Sequence, residues 1–336
     1  MHNNWKRIFR RAVEEMRATV QIAKYTSWEG AVLTFVAKLI IQIMNRTGCP
    51  ETGFIKKLLL KKHDVMLTYF EKSFSSFASQ YSIEKVLPET DHILRNRIWV
   101  CWWQGLDNAP ELVKKCVDSI AQNAGEHEVT VITEQNFEKY VNIPAWVIEK
   151  YRKGIISRTH FSDILRLSLL AAHGGMWLDA TFFCTEPILS SYFHLPLWSI
   201  KRPDYLHISV ACGQFATYSL ACTCENRWVF ATIRDLVLHY WKENDILIDY
   251  LFLDYLFVYA QHMDPQIAQM FWEIPPNNAN CDDLCKVLNE VYDGDKWSEI
   301  TKDTSLYKLT WKQEFLMKQD NQDTFYAKLL NSELKK

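Results

Sequence analysis

One segment of the chain carries acidic and basic side chains at spacings that suit phosphate binding; it reads RTHFSDILRLSLLAAHGGMWLDATFF. Asp163 lies five residues after Arg158, and Arg166 lies three residues after Asp163. Asp179 follows a short apolar run, and Thr181 stands two positions later. A hard divalent cation binds carboxylate and phosphate oxygens, and arginine pairs with phosphates. The pattern therefore favours a site for a metal ion and a diphosphate group.

A helix followed by a strand is predicted to bring these side chains together. Ser162 is expected to precede the helix, and two consecutive glycines end it, because glycine readily adopts positive φ. The apolar run after the glycines forms a strand that ends at Asp179. Two structural alternatives stay open: Asp179 can cap the next turn, and Asp163 and Arg166 can form a surface ion pair.

A strand, a helix and a second strand are predicted upstream of this segment. Ile98 to Trp103 is rich in β-branched and aromatic residues, Glu111 to Ala124 has an apolar helical face, and Val129 to Thr133 forms the next strand. Such a βαβ unit implies a parallel sheet covered by helices, which binds ligands at the carboxyl ends of its strands. The residues expected at the rim of the site are Trp102, Trp103 and Gln104.

Length and composition indicate a large globular protein. The 336 residues are 48% hydrophobic and 23% charged, which excludes a disordered tail, a collagen and a coiled coil. At roughly 100–200 residues per domain, the chain forms two domains or one large α/β domain with an attachment. We divide it into a helical extension over residues 1–90 and a catalytic domain over residues 91–336.

The net charge of −2 hides an asymmetry between two parts of the chain. Residues 1–62 contain 12 Lys and Arg against 4 Asp and Glu, a net charge of +8, which leaves −10 for the remainder. The basic segment suggests an anionic partner, whereas the acidic remainder argues against a nucleic-acid binder. The nine cysteines fit neither a zinc ribbon nor a redox CxxC pair, which indicates reduced thiols in a cytosolic protein.

The helix predicted over Ala31 to Met44 is apolar except for one narrow stripe of Thr34, Lys38, Gln42 and Asn45, so its apolar surface must be covered. Packing on the catalytic domain is favoured. The alternative is a helix that lies in an anionic membrane interface, assisted by the basic side chains of residues 1–62. Those side chains are Lys6, Arg7, Arg10, Arg11, Lys56, Lys57, Lys61 and Lys62. Because the chain has no transmembrane-length apolar run and no secretion signal, it is expected in the cytoplasm, in the second alternative peripherally on the inner face of the cell membrane.

The ordered motifs resemble those of a known enzyme family. Arginine, then Ser-Asp-Ile-Leu-Arg, then Gly-Gly-Met-Trp-Leu-Asp resembles the DXD sugar-nucleotide region of glycosyltransferase family 32 and its relatives. The continuation Ala-Thr, with Trp-Trp-Gln-Gly-Leu-Asp-Asn-Ala-Pro upstream and Ile-Asp-Tyr-Leu-Phe-Leu-Asp-Tyr downstream, is most similar to bacterial capsular polysaccharide synthesis glycosyltransferases. The resemblance covers about Arg97 to Lys312. It implies a GT-A-type α/β fold: a Rossmann-like, mostly parallel sheet flanked by helices, here with an N-terminal helical extension.

The resemblance also implies roles for individual residues. Asp163 and Arg166 would contact the donor sugar and its diphosphate as catalytic groups, and Asp179 would be the first acid of the DXD motif. The implied cofactor is a divalent cation, Mn²⁺ or Mg²⁺, held by Asp179 and Thr181. Thr181 replaces the usual second aspartate and is a weaker, neutral ligand.

Two further acids and a C-terminal segment complete the expected site. Asp249 and Asp254 lie in an apolar run where unpaired charge is costly. By the resemblance, an acid here approaches the acceptor or the donor sugar, with Asp249 the first choice and Asp254 the second; a structural role is the alternative for each. The segment Lys308 to Lys312 is similar to loops that close over the diphosphate, or it is an ordinary surface strand. The side chains expected to bind the donor are Trp102, Trp103, Gln104, Arg158, Ser162, Asp163, Arg166, Gly175, Trp177, Asp179, Lys308, Trp311 and Lys312.

The function implied is retaining transfer of a hexose from a nucleotide sugar, with UDP-glucose or UDP-galactose favoured. The acceptor would be a hydroxyl of a capsular or exopolysaccharide repeat unit, carried on a lipid-linked oligosaccharide or a polysaccharide. A glycoside hydrolase and a non-catalytic carbohydrate-binding protein are the alternatives. A hydrolase would use two facing carboxylates but would leave the Asp-Ile-Leu-Arg element unexplained.

Overall fold

The computed structural model describes residues 2–89, 91 and 94–334, with side chains described from residue 12 onward. The helices are α1 (His2–Tyr25), α2 (Trp28–Thr47), α3 (Gly53–Ser73), α4 (Ser75–Gln80), α5 (Glu111–Gln122), α6 (Ala145–Arg152), α7 (Arg158–His173), α8 (Ser191–His194), α9 (Trp228–Glu243), α10 (Phe252–Met263), α11 (Pro265–Glu273), α12 (Asp283–Val287), α13 (Gly294–Ile300) and α14 (Phe325–Leu330). The strands are β1 (Ile98–Cys101), β2 (Val129–Ile132), β3 (Gly175–Leu178), β4 (Phe182–Cys184), β5 (Leu197–Ser199), β6 (Ser219–Cys222), β7 (Leu306–Lys308), β8 (Lys318–Gln319) and β9 (Gln322–Asp323).

The described residues before position 90 fold into α1 to α4, as the sequence predicts for a helical extension. The Ser27 side chain accepts a hydrogen bond from the Gly30 amide at 3.0 Å and caps α2. The Thr52 side chain caps α3 in the same way, from the Ile55 amide at 3.3 Å. Gly48 ends α2 with φ 68°, in the left-handed region that glycine favours. Local capping chemistry therefore accounts for the helix boundaries here.

The buried face of α2 holds Thr34 and Lys38 from the polar stripe together with small and apolar residues, whereas Gln42 and Asn45 of the stripe are exposed. Thr34 and Ala37 are buried, and Lys38 donates a hydrogen bond to the Ile248 carbonyl oxygen at 2.7 Å. The exposed residues of the helix include Trp28, Val32, Val36, Leu39 and Ile43. The helix packs on the rest of the protein, as favoured. The expectation that its apolar surface is covered was wrong for the side that carries these five residues, because Lys38 on the other side finds hydrogen-bond acceptors in the interior.

A buried ion pair ties the extension to the rest of the chain. Lys62 of α3 has no exposed surface, and its Nζ lies 2.9 Å from Oδ2 of Asp249. Lys38 Nζ lies 3.9 Å from the same oxygen. Burial alone would raise the pKa of Asp249, but the charges of Lys62 and Lys38 outweigh burial and lower it. Our first choice for the second catalytic acid is therefore placed in a structural contact.

The central sheet has the strand order β2-β1-β3-β6-β5. The strand β1 pairs in parallel with β2 and with β3, and Trp99 stands opposite Trp177. The strands β6 and β5 add on in antiparallel orientation. The helix α5 connects β1 to β2, so the predicted βαβ unit and the α/β class are confirmed. The parallel strands end at one edge of the sheet, which brings the residues after Cys101 and Leu178 together.

The helix α7 begins five residues earlier than expected. Ser157 caps it by accepting a hydrogen bond from the His160 amide at 3.3 Å, so the helix starts at Arg158. Ser162 therefore lies within the helix, and our prediction that it precedes the helix was wrong. From residue 160 nearly every side chain of α7 is buried, including Asp163 and Arg166. Those two side chains are carried into the interior by a helix that packs against α9 and the sheet.

A second, two-stranded sheet joins the C-terminal part of the chain to the end of the central sheet. The strands β4 and β7 pair in antiparallel orientation, with Phe182 opposite Lys308. The Lys308 amide also donates to the Cys281 carbonyl oxygen at 2.8 Å. Of the segment Lys308 to Lys312, only Lys308 belongs to the strand, which is buried at Leu306 and Tyr307, and residues 309–312 continue without regular secondary structure. The surface strand was therefore wrong, and closure of this segment over the diphosphate stays a prediction.

Two expectations concern the chain as a whole. No helix within the described residues is both long and apolar enough to cross a membrane. The nine cysteines carry free thiols, as their spacing predicts.

Candidate functional site

Asp179 is the centre of the predicted site, and the structure surrounds it with donors. It follows β3, and its amide donates to the Tyr218 carbonyl oxygen at 3.1 Å. One carboxylate oxygen, Oδ1, accepts from Trp177 Nε1 at 2.9 Å and from Arg166 Nη2 at 3.2 Å. The other, Oδ2, lies 3.2 Å from Lys308 Nζ. Both carboxylate oxygens are therefore engaged by this chain's own side chains.

The charges around Asp179 keep its carboxyl ionised. Burial by itself would raise the pKa of Asp179, but the positive charges of Lys308 and Arg166 and the indole N–H of Trp177 lower it below its usual value. Because Asp179 pairs with two cations, one of them can pair with an incoming anion while the other still neutralises the carboxylate. The arrangement therefore suits a site in which an anionic ligand replaces Asp179 as the partner of Arg166 or Lys308.

Arg166 links three elements of the site. Its Nη1 lies 3.5 Å from Asp163 Oδ1 and also donates to the Thr217 carbonyl oxygen. Its guanidinium carbon lies 4.9 Å from the centre of the Trp177 ring, a cation–π distance. The Nε atom is buried and has no hydrogen-bond partner within the described part of the chain. The guanidinium is thus held in place by its neighbours while one donor stays unused.

Asp163 is oriented from its own helix. Its Oδ2 lies 3.1 Å from His160 Nδ1, one turn earlier on α7. Both residues are buried, as is Arg166 one turn later. The Asp163–Arg166 pair is therefore not a surface ion pair, which removes one structural alternative.

Lys308 reaches the site from β7. Its Nζ donates to Thr181 Oγ1 at 2.5 Å and lies 3.2 Å from Asp179 Oδ2. The rings of Phe182 and Tyr218 have their centres 5.9 and 5.7 Å from the same nitrogen. The ammonium group is thereby placed between the two residues that the sequence predicts as metal ligands.

Asp254 joins the site through α10. Its Oδ2 accepts from Ser209 Oγ at 2.5 Å, and its Oδ1 accepts from Thr217 Oγ1 at 3.0 Å. Since the Thr217 carbonyl also accepts from Arg166, this residue bridges the acid to the guanidinium. Burial raises the pKa of Asp254, the two hydroxyl hydrogen bonds oppose the rise, and the charge of Asp163 adds to it. Of the two acids considered in this region, Asp254 is the one connected to the site.

Tyr250 lies near the three acids, and the sequence did not single it out. Its side chain is 71% exposed. Its surroundings raise the pKa of its hydroxyl, first by partial removal from water and then through the carboxylates of Asp163, Asp254 and Asp179. The phenol therefore lies in the field of all three acids at the solvent side of the cluster. Its position in the sequence, between two acids of an apolar run, was the available signal.

Of the two tryptophans expected at the rim of the site, only Trp102 lies there. Trp102 follows β1 and is half-buried, and its ring packs edge-to-face on Trp311 with centres 5.6 Å apart. Trp103, in contrast, is buried and packs against Phe137 and Phe161 in the core, so the expectation that it lies at the rim was wrong. Sequence reasoning could not separate these neighbours, because a two-residue period fails where the strand ends at Cys101.

The other predicted donor-binding residues divide into packing and solvent positions. Gly175 has φ 80°, and a Cβ there would lie 2.4 Å from the Arg97 carbonyl oxygen, so glycine is required for the strand contact. Ser162 is half-buried within α7. Arg158, Gln104 and Lys312 are exposed.

The residues present do not fit a divalent cation. Asp179 is already shared between Arg166 and Lys308, and the Thr181 hydroxyl accepts from Lys308. No group of three or more His, Cys, Asp and Glu side chains that could hold a metal ion occurs within the described residues. Hard cations prefer several carboxylate oxygens, whereas residues 179 and 181 offer one carboxylate already paired with cations. The charge at this position is supplied by side chains.

The chain is similar to a known protein family and to a solved structure. Within the solved structures, one titled "PaToxG Glycosyltransferase" is 18% identical and covers 66% of this chain and 86% of that chain, with a TM-score of 0.35. No curated protein matches the chain. A family model described as "Capsular polysaccharide synthesis protein" matches residues 48–329. That range spans most of the chain and includes α3, the central sheet and every residue of the Asp179 cluster. The chain therefore belongs to the capsular polysaccharide synthesis protein family.

Proposed function

We propose that the protein is a retaining glycosyltransferase of the GT-A type that transfers a hexose from a UDP-sugar to a hydroxyl of a capsular polysaccharide repeat unit. The observation that carries the proposal is Asp179, fixed at the end of a parallel strand with Arg166 and Lys308 on its two carboxylate oxygens. Membership in the capsular polysaccharide synthesis family supports the same class of product. UDP-glucose and UDP-galactose are the favoured donors, and a lipid-linked oligosaccharide or a polysaccharide is the acceptor.

The donor is bound by charge at one end and by hydroxyl acceptors at the other. Arg166 and Lys308 pair with the diphosphate, since guanidinium and ammonium groups form strong, charge-assisted hydrogen bonds to phosphate oxygens. The carboxylates of Asp163 and Asp179 accept hydrogen bonds from the hexose hydroxyls. The Trp102 and Trp311 rings at the rim offer flat apolar faces to the uracil or to a sugar of the acceptor.

The reaction breaks the bond between the anomeric carbon and the diphosphate oxygen and forms a bond to the acceptor oxygen. The transition state has oxocarbenium character, as in glycoside hydrolysis. Its largest stabilising contribution is the pairing of the departing diphosphate with Arg166 and Lys308, whose positions are set before the reaction begins. For retention, the acceptor approaches on the face from which the diphosphate leaves, and its proton passes to the leaving phosphate oxygen. No protein nucleophile is assigned.

A panel of nucleotide sugars tests the proposal without knowledge of the acceptor. Because transferases hydrolyse their donors slowly with water as a substitute acceptor, we expect release of free nucleoside diphosphate from a UDP-hexose. A glycoside hydrolase would cleave glycosides and leave the panel intact, and a carbohydrate-binding protein would do neither. If no donor is hydrolysed and none binds in calorimetry, the proposed function fails.

A further inference from the structure

We propose that the Lys308 ammonium group occupies the position that a divalent cation would take and that the enzyme works without one. The inference rests on the proposed function, because it concerns how the donor diphosphate is neutralised. The cation predicted from the DXD resemblance would lie between the side chains of residues 179 and 181. Lys308 Nζ lies between those same side chains, 3.2 Å from Asp179 Oδ2 and 2.5 Å from Thr181 Oγ1.

A metal ion and this ammonium group exclude each other. Divalent cations bind oxygen ligands at about 2.0–2.6 Å. An ion that contacted both Asp179 and Thr181 would therefore lie against Lys308 Nζ, with charge repulsion and no room for its other ligands. The replacement of an aspartate by a threonine at position 181 fits the same logic, because a neutral hydroxyl can accept from an ammonium but is a poor substitute for a carboxylate ligand.

The backbone fixes the base of the lysine, so the ammonium group does not depend on a flexible loop. Lys308 pairs with Phe182 across β4 and β7, and its amide donates to Cys281. Its side chain runs past the Phe182 and Tyr218 rings and is 23% exposed at the site. The group is thus anchored on one side and open to a ligand on the other.

The charge balance also supports the replacement. Arg166 and Lys308 together carry two positive charges, as a divalent cation would, and the carboxylates of Asp179 and Asp163 lie beside them. Arg166 keeps an unused buried Nε–H, which is a further donor. A leaving diphosphate that pairs with both groups would gain the neutralisation that metal-dependent enzymes obtain from the ion.

The test compares donor hydrolysis by the full-length protein in excess EDTA and in added Mn²⁺, alongside UDP binding by calorimetry in both buffers. We expect rates and affinities that agree within about twofold, since no catalytic charge is lost with the metal. Lys308→Met should lower the hydrolysis rate by about tenfold to a hundredfold in either buffer, and Lys308→Arg should retain part of it. The double variant Lys308→Ala with Thr181→Asp restores a two-acid motif and should acquire a response to Mn²⁺.

The outcomes separate this inference from the proposed function. Donor hydrolysis that stops in EDTA and returns with Mn²⁺ would overturn the role of Lys308 but would still support the proposed glycosyltransferase function. A protein that neither binds UDP nor hydrolyses any donor in either buffer would overturn the function itself. Thermal unfolding of each variant checks that the β4–β7 pairing survives.

The exposed face of α2 supports a second inference, from different observations. We infer that this face docks on an anionic lipid surface. At 100° per residue, Trp28, Val32, Val36, Leu39 and Ile43 fall within an arc of about 80° on one side of the helix. All five are exposed, from 42% for Val36 to 64% for Trp28. Five large apolar side chains in one outward stripe form a continuous patch, which soluble surfaces rarely leave uncovered.

The charges near this stripe select lipid over a second copy of the chain. Arg46 lies in the same arc, and the exposed charges of α1, α2 and α3 are mostly basic: Arg17, Lys24, Arg46, Lys57, Lys61 and Lys72, against the acids Glu14, Glu29, Asp64 and Glu71. Two of the lysines in the +8 segment, Lys38 and Lys62, are used internally with Asp249. The side chains of Lys6, Arg7, Arg10 and Arg11 lie outside the described residues. A second copy would bring the same positive charges to the interface, whereas acidic headgroups would neutralise them.

Sedimentation of the full-length protein with vesicles tests this surface. We expect partial binding to phosphatidylcholine vesicles that contain phosphatidylserine, less binding at high salt, and little binding to phosphatidylcholine alone, since each basic residue near the surface contributes about 1 kcal/mol. Val36→Glu should reduce binding, and Val86→Glu, at an 82% exposed position outside α2, should not.

Recovery of the protein in the supernatant with both vesicle types at both salt concentrations would overturn the membrane surface. A dimer in analytical ultracentrifugation without lipid that Val36→Glu dissociates would assign the stripe to a second copy instead. Equal binding to neutral vesicles would remove the electrostatic part of the inference.

Discussion

Asp179→Asn and Arg166→Ala should each lower the rate of hexose transfer by about 10²- to 10³-fold, because each removes a charge that positions or neutralises the donor diphosphate. Asparagine keeps the size of the aspartate and can still accept from Trp177, but it no longer holds Arg166 and Lys308 by charge. Alanine at position 166 removes the contacts to Asp163, Asp179 and Thr217 together. The measurement is kcat/KM with the best donor of the panel, or the rate of donor hydrolysis if the acceptor is unknown.

A matched control distinguishes the site from general effects of lost charge. Glu149→Gln removes a carboxylate from an exposed ion pair with Lys153 on α6, which should change neither activity nor stability appreciably. The melting temperatures of the two site variants show whether the fold is retained. If both variants keep more than about a tenth of the activity with every donor, against the loss expected for a diphosphate-stabilising group, the site is misassigned.

The parts of the fold that could be predicted are those set by local sequence. The βαβ unit follows from apolar periodicity over short stretches, and Asp179 was placed correctly because a carboxylate after an apolar run and a glycine pair must stand at a strand end. The start of α7 was misplaced because both Ser157 and Ser162 can cap a helix, and the choice depends on the packing of the first turn.

The parts that could not be predicted depend on contacts between distant segments. Lys308 meets Thr181 across 127 positions only because β7 pairs with β4, and no local pattern encodes that pairing. The same applies to Thr217, whose two oxygens connect Arg166 with Asp254. Side chains at such positions gain their role from topology, so the sequence offered candidates by charge but not their partners.

The orientation of α2 is the clearest case in which a long-range contact overrides the helical pattern. A helix with one polar stripe is expected to turn that stripe to solvent. Gln42 and Asn45 do face solvent, but Lys38 points inward, because Glu15, the Ile248 carbonyl and Asp249 satisfy its ammonium group. The hydrophobic pattern of the helix gave its length but could not give the direction it faces.

The same buried contact leads to the largest stability effect we expect. Lys62→Met should lower the free energy of unfolding by about 3–5 kcal/mol, because it leaves Asp249 buried with its main partner gone. The double variant Lys62→Met with Asp249→Leu should recover most of the loss, since buried ion pairs can be replaced by packed apolar side chains at little cost. Lys61→Met, at an exposed neighbouring position, is the control. Urea unfolding at neutral pH measures all four proteins.

The pH dependence of these variants identifies Asp249 as the origin of the effect. Its folded-state pKa is lowered by Lys62 and Lys38, so its contribution to stability is present above the pKa of the unfolded chain and is lost as the pH falls through the lower folded-state value. In acid, the wild-type protein should therefore lose stability that the double variant, which lacks the carboxylate, does not lose from this source. Parallel curves of unfolding free energy against pH for the two proteins, or a double variant no more stable than Lys62→Met, would contradict the buried ion pair as the anchor between the extension and the sheet domain.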